Sequence, residues 1–191
     1  MILGITGGTG CGKTTLLQVL AEKGALILDC DAIYHRLLAT DPTLLNAIAA
    51  RFPGTVVGGQ LLRKQLGAIV FSDAAALEDL NRITHGAVKA EVLRLLENHT
   101  GHAAIDAIGL FEGGLAELCH VTVAVTAPAE ARIARLMARD NIPESYARSR
   151  IEAQHPESWF RAKCGHTLEN SGTQEQFRGK CLAFLAQLGI M

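Results

Sequence analysis

Eight consecutive residues near the start of the chain, Gly7-Gly8-Thr9-Gly10-Cys11-Gly12-Lys13-Thr14, have the types and spacing to hold a nucleoside triphosphate. They satisfy the pattern glycine, four residues, glycine, lysine, serine or threonine. The glycines, Gly8, Gly10 and Gly12 among them, let backbone N–H groups converge on phosphate oxygens with no Cβ in the way. A helix beginning near Lys13 presents further free N–H groups and the positive end of its dipole. In such a loop Lys13 sets its ammonium against the β and γ phosphates, Thr14 offers a hydroxyl to Mg2+, and Thr15 supports the α phosphate. Cys11 reads as a small filler of the loop rather than a nucleophile. A lone GxG would read as a turn or a helix cap. Here the apolar run Ile2–Thr6 before the glycines and the amphipathic stretch 13–23 after them supply the strand and helix that the motif needs.

Other residues separate a kinase from the remaining users of such a loop. Asp29 and Asp31 follow a second buried-strand pattern, which this topology predicts to adjoin the P-loop where ligands bind. A carboxylate there can accept the proton of an attacking hydroxyl and aim it in line with the γ phosphate. Asp29 suits a helix cap or a magnesium-water contact, and Asp31 is read as the base. Asp106, at the end of another apolar strand, is read as holding magnesium through water. With Gly109 it spells D-A-I-G, a weak likeness to a GTPase switch, but the guanine-reading N/T-K-x-D motif is absent. Arg132, Arg135 and Arg139 stand at i, i+3 and i+7 on one helix face. Such a stripe is ordinarily a solvated surface. Its place after the fourth main strand points instead to a lid arginine that neutralises the transferring phosphoryl group, with Arg139 the foremost candidate and Arg135 assisting. Cys164, His166 and His155 could donate three metal ligands, but their spacing matches no common zinc pattern.

The elements that must position these groups follow from composition and periodicity. A chain of 191 residues, 49% hydrophobic, is long enough for one domain, 1–191, with a sizeable core. Eighteen Lys and Arg against nineteen Asp and Glu leave a formal charge of -1, so no global field draws the chain to nucleic acid or acidic lipid. No leader-like segment or spanning apolar run is visible, and five scattered cysteines suit a reducing compartment. A cytoplasmic protein is therefore expected, with no nucleic-acid or membrane partner and no obligate protein partner. Strand patterns at 2–6, 25–28, 103–107, 121–126 and 167–168 alternate with helical ones at 13–23, 129–139, 143–154 and 174–188. This predicts an α/β fold, a mostly parallel sheet of about five strands flanked by helices. Between the second and third of these strands, approximately 32–100, helical segments at 61–71, 74–83 and 87–96 follow a turn region at Pro53, Gly54, Gly58 and Gly59, with no strand between them. This stretch reads as a helical insert, and approximately 139–165 as a lid.

The order of these stations resembles the dephospho-coenzyme A kinase family over essentially the whole chain. Gly7–Thr14 matches its opening loop, and Asp29-Cys30-Asp31 its D-x-D. Leu61–Phe71 is similar to L-x-R-x-x-L-x-x-x-V-F, and Ile83-Thr84-His85-Gly86 to an I-x-H-P turn. Leu110-Phe111-Glu112 matches L-F-E, Arg139-Asp140 ends the arginine helix, and Gln154 and Asn170-Ser171-Gly172 match the later stations. The resemblance implies a P-loop kinase using ATP and Mg2+ to phosphorylate the ribose 3′-hydroxyl of dephospho-coenzyme A. It makes Asp31 the base and Arg139 the stabiliser of the transferring group. Arg63 and His85 of the helical insert, with Leu110 and Glu112 beyond it, then fall with the acceptor, and Asn170 borders the adenine. The chain departs from the family pattern at Gly86 for proline, at Ile108-Gly109 before L-F-E, and at Cys164-Gly165 for an Ala-Asp pair. A shikimate kinase-like enzyme shares the loop and the D-x-D. It would carry a glycine triplet where this chain has Asp106-Ala107-Ile108-Gly109, and would lack the long insert. A non-enzymatic nucleotide switch would have no use for Asp31 or a lid arginine.

Overall fold

The computed structural model describes residues 1–190. In chain order the elements are β1 (Ile2–Thr6), α1 (Lys13–Glu22), β2 (Leu26–Asp29), α2 (Cys30–Thr40), α3 (Pro42–Arg51), β3 (Val56–Val57), β4 (Gln60–Leu61), α4 (Arg63–Val70) and α5 (Ala74–Leu96). After these come β5 (Ala103–Asp106), β6 (Val121–Thr126), α6 (Ala129–Asp140), α7 (Glu144–Glu152), α8 (Glu157–Lys163), β7 (His166–Glu169) and α9 (Gln174–Gln187). The chain forms two compact units. One comprises Met1–Leu28, Thr100–Leu110 and the chain from Ala116 onward; the other comprises Asp29–His99 and Phe111–Leu115.

The first unit is built on a five-stranded sheet of order β2-β5-β1-β6-β7. β1 runs parallel to β5 and to β6, and β6 runs parallel to β7. The strand order corrects one expectation: β2 does not adjoin the P-loop strand, because β5 lies between them. Burial accounts for this, since Ala103, Ala104 and Ile105 of β5 are wholly inaccessible and belong in the sheet interior, whereas only Leu28 of β2 is buried. Against the sheet pack Leu16, Val19 and Leu20 of α1 with Phe177, Cys181, Phe184 and Leu185 of α9, each set spaced to share one helix face. A capping box of Thr173 and Gln176 starts α9. The short helix α8, which periodicity did not reveal, is anchored by one buried side chain, Phe160.

The second unit gathers α2 to α5 around Leu38, Leu44, Leu45, Ile48, Phe52, Leu66, Val70 and Ala76. Two expectations change here. The turn region contains an antiparallel pair, β3 with β4, turned by Gly58 and Gly59, both at positive φ (58° and 75°) as a two-residue hairpin favours. The two helical segments at 74–83 and 87–96 are one 23-residue helix, so Ile83-Thr84-His85-Gly86 is helix interior and not a turn. Asp73 caps this helix by accepting from the Ala75 and Ala76 N–H groups, and Ala76, Thr84, Val88 and Val92 recur on one buried face across Gly86. That face outweighs the cost of one glycine, about 1 kcal/mol. Gly86 is exposed and a Cβ there meets nothing within 4 Å. Gly86→Ala is therefore expected to stabilise the protein by roughly 0.5–1 kcal/mol, read as a higher urea midpoint with unchanged slope. A lower midpoint would mean the helix breaks at this point. No helix among the described residues is long and apolar enough to cross a membrane.

Candidate nucleotide-binding site

β1 delivers the chain into a loop whose conformation only glycine tolerates well. Gly12, at φ 96°, is the N-cap residue of α1, and a Cβ on it would collide with the Asn170 amide; a Cβ on Gly8 would collide with the Arg132 guanidinium. No side chain caps α1 and no acidic residue stands in its first turn. α2, α3, α5 and α9 are capped by Asp29, Asp41, Asp73 and Thr173; α4, α6, α7 and α8 also lack a side-chain cap, but the last three carry a glutamate in the first turn, so among the described helices only α4 and α1 have neither. No side chain takes up the first N–H groups of α1, and the helix dipole makes this end one that favours an anion.

Charged and polar groups surround this loop. Lys13 Nζ donates to the Gly7 carbonyl at 3.2 Å and lies 3.9 Å from Asp106 Oδ1, so the side chain is folded back over the loop between the ends of β1 and β5. Both side chains are largely but not wholly covered, at 14% and 18% exposure. Thr14 is exposed, Thr15 half-buried. The Cys11 side chain is buried, and burial pushes its thiol up against the lowering effect of Lys13, which suits a filler of the loop better than a nucleophile. Asn170, buried at the end of β7, donates from Nδ2 to the Cys11 carbonyl at 2.9 Å; its own N–H bonds the Thr126 carbonyl. Its side chain is therefore engaged in bracing the loop.

The arginine stripe divides. Arg135 Nη1 donates to the Gly10 carbonyl at 3.2 Å, and Arg132 Nε to the Thr9 carbonyl at 2.8 Å. Arg139 points elsewhere: it grips the neighbouring Asp140 through Nε and Nη2 at 2.7 and 2.9 Å, and Arg150 binds the same carboxylate at 2.6 Å. These hydrogen bonds hold the Asp140 carboxyl well below the ordinary range, Arg139 contributing most. Sequence reasoning gave no role to Arg132, or to Gln154, whose Oε1 accepts from the Thr9 N–H at 2.8 Å. The stripe contained Arg132, but nothing local distinguished the arginine that turns inward.

The remaining candidates lie on other elements. In the second unit, Asp29 caps α2 by accepting from the Ala32 N–H at 3.0 Å, while Asp31 sits exposed on the first turn of the same helix. Arg63 begins α4 with Nη2 3.4 Å from His35 Nδ1, His85 is half-buried within α5, and Glu112 is exposed. Leu110 requires correction as an acceptor contact. Its side chain is completely buried in the first unit and fills the space beside Gly4, so it packs the sheet and offers no surface to a ligand. Of the departures from the family pattern, Ile108 uses its carbonyl to accept from Thr6 Oγ1 at 3.0 Å, a contact that a proline would also make. His155 stacks on Trp159 at 3.9 Å and His166 meets the edge of Phe184. No group of three or more His, Cys, Asp or Glu positioned for a metal occurs among the described residues.

Comparison with known proteins agrees with this geometry. The family model described as dephospho-CoA kinase matches residues 1–176. A dephospho-CoA kinase of Deinococcus radiodurans is 38% identical, covering 98% of this chain and 92% of its own, and one of Moorella thermoacetica is 36% identical over the same shares. A crystal structure from Thermus thermophilus superposes with TM-score 0.82 at 34% identity, over 98% of this chain and 97% of that one. A shikimate kinase of Bacteroides thetaiotaomicron, 12% identical with TM-score 0.58 over 99% and 98% of the two chains, shares the P-loop kinase fold alone. With the loop intact and likeness running from one end of the chain to the other, the protein belongs to the dephospho-CoA kinase family.

Proposed function

We propose that this protein transfers the γ-phosphoryl group of ATP to the ribose 3′-hydroxyl of dephospho-coenzyme A, yielding coenzyme A and ADP. The observation that carries this reading is the uncapped N-terminus of α1, headed by Lys13 and facing Asp106, in a chain similar throughout to dephospho-CoA kinases. Backbone N–H groups of Gly8, Gly10, Gly12, Lys13 and Thr14 cradle the phosphates; Cys11 and Thr15, whose N–H groups bond the Gly8 and Gly12 carbonyls, complete the loop, with Asn170 bordering the adenine. The Lys13 ammonium takes up charge that moves onto the β–γ bridging oxygen as its bond to phosphorus breaks. Asp31 accepts the proton of the 3′-hydroxyl as that oxygen bonds to the γ phosphorus. Arg63, His85 and Glu112 contact the acceptor. The segment 32–100 supplies its wall and 139–165 the lid.

Magnesium fits the donors available. The exposed Thr14 hydroxyl and the partly covered Asp106 carboxylate are hard oxygen ligands, and Mg2+ is commonly held by one or two such groups together with substrate phosphates and water. When bound it neutralises phosphate charge; Thr14 would hold it directly and Asp106 through water. The five free cysteines support a cytoplasmic location.

Incubation of the protein with Mg-ATP and either dephospho-coenzyme A or shikimate, with products identified by mass, tests the reading. Phosphorylated product is expected from dephospho-coenzyme A; ATP consumption with shikimate alone would overturn it. Arg139 acts, in this reading, after leaving Asp140 to meet the transferring phosphoryl group. Arg139→Ala should therefore lower kcat ~10-fold or more while ATP affinity changes little. An equal loss in both would make Arg139 an ordinary binding residue.

A further inference from the structure

Arg132 is a nearly buried cation, 8% exposed. Burial lowers its pKa, and the Cys11 thiol and the Glu157 carboxylate oppose that shift. An interior guanidinium is costly unless its position serves a purpose. Its partners indicate that purpose. Nε donates to the Thr9 carbonyl at 2.8 Å and Nη2 to Gln154 Oε1 at 3.3 Å, while the same Gln154 oxygen accepts from the Thr9 N–H at 2.8 Å. Both backbone polar groups of Thr9 are therefore taken by these two side chains, which orients the peptide planes on either side of it. The guanidinium also occupies the space that a Cβ at Gly8 would need. Gln154 lies just beyond α7 and Arg132 on α6, so two elements distant in sequence converge on one turn of the P-loop.

We propose that Arg132 and Gln154 are positioning residues for ATP: together they hold the Gly8–Thr9 turn in its nucleotide-receiving shape before the nucleotide arrives. A glycine-rich loop left free would have to be ordered on binding, at a cost in conformational entropy for each residue fixed. Holding it beforehand removes that loss from the binding step. Neither residue touches the acceptor in this account. The proposal rests on the nucleotide reading of the loop and is independent of which acceptor is used.

The test measures ATP binding by calorimetry without acceptor, beside steady-state kinetics with dephospho-coenzyme A, for Gln154→Ala, Gln154→Glu and Arg132→Ala. Loss of either tie should weaken ATP binding roughly 10-fold. KM for the acceptor should stay within ~2-fold, as expected for a change confined to nucleotide binding. Gln154→Glu keeps an oxygen that can accept from both Thr9 N–H and Arg132, and should restore near wild-type affinity. The Gln154→Ala, Arg132→Ala double variant should lose less than the product of the single effects, since both act on one turn. ATP affinity within ~2-fold of wild type in the folded Gln154→Ala protein overturns the proposal, as does failure of Gln154→Glu to rescue. If Arg132→Ala does not fold, the two Gln154 variants decide. Should the acceptor assignment be wrong, kinetics with dephospho-coenzyme A fail for wild type as well, while the ATP titrations still read out.

Discussion

Lys13→Ala is expected to leave a folded protein whose turnover falls at least ~100-fold. The side chain lies along the loop, donates to Gly7 and stands 3.9 Å from Asp106, so its ammonium is held over the loop, where the proposed function puts the phosphates. Charge accumulates on the bridging and γ oxygens as the bond loosens, and a fixed cation in a partly dehydrated site is worth far more there than in water. The cost to folding should be about 1 kcal/mol, because the bond to Gly7 and a long, partly exposed ion pair contribute little. Steady-state kinetics and a thermal melt check the two halves together. Turnover near normal in the folded variant would sink the P-loop assignment. Lys13→Arg is no substitute: the planar, bulkier guanidinium cannot occupy the same position as a point charge.

For the acceptor side the largest effect is expected from Asp31→Asn, with turnover reduced by ~100-fold or more while dephospho-coenzyme A still binds. The change keeps size and most hydrogen bonding and removes basicity. Its neighbour supplies the control. Asp29 is engaged as the cap of α2, accepting from the Ala32 N–H, and asparagine caps a helix as well as aspartate does, so Asp29→Asn should be mild. Asp31, exposed in the first turn of α2, does not cap that helix. Phosphoryl transfer with late proton movement would give a smaller loss and reassign Asp31 to orienting the hydroxyl. A crippled Asp29→Asn beside an active Asp31→Asn would mean the other carboxylate is the base.

Much of this protein was written in short stretches of its sequence. Gly7–Thr14 could be recognised because a phosphate loop is contiguous: its glycines, lysine and threonine stand at fixed spacing within one short segment. Strands β1 and β6 have the bounds their apolar runs predict, and the alternation of strands with helices was enough for a parallel α/β sheet. The D-x-D motif was equally visible, but local pattern could not divide its two carboxylates; the bond from Ala32 did that for Asp29. Gly86 misled for a related reason. A glycine reads as a break when the residues that pay for continuity, Thr84, Val88 and Val92, find their partners in other helices.

What only the tertiary structure decided lies between residues far apart in sequence. Leu110 is sealed beside Gly4 because β5 took the interior place next to β1 and left β2 at the edge. Among three arginines on one helix face, Arg132 and Arg135 turn to the loop, while Arg139, beside Asp140, is drawn to that carboxylate. Gln154 meets Thr9 across 145 positions. Helix periodicity places such side chains on a common face, but which of them is desolvated, and against what, depends on how the elements pack, and no spacing within one segment encodes it.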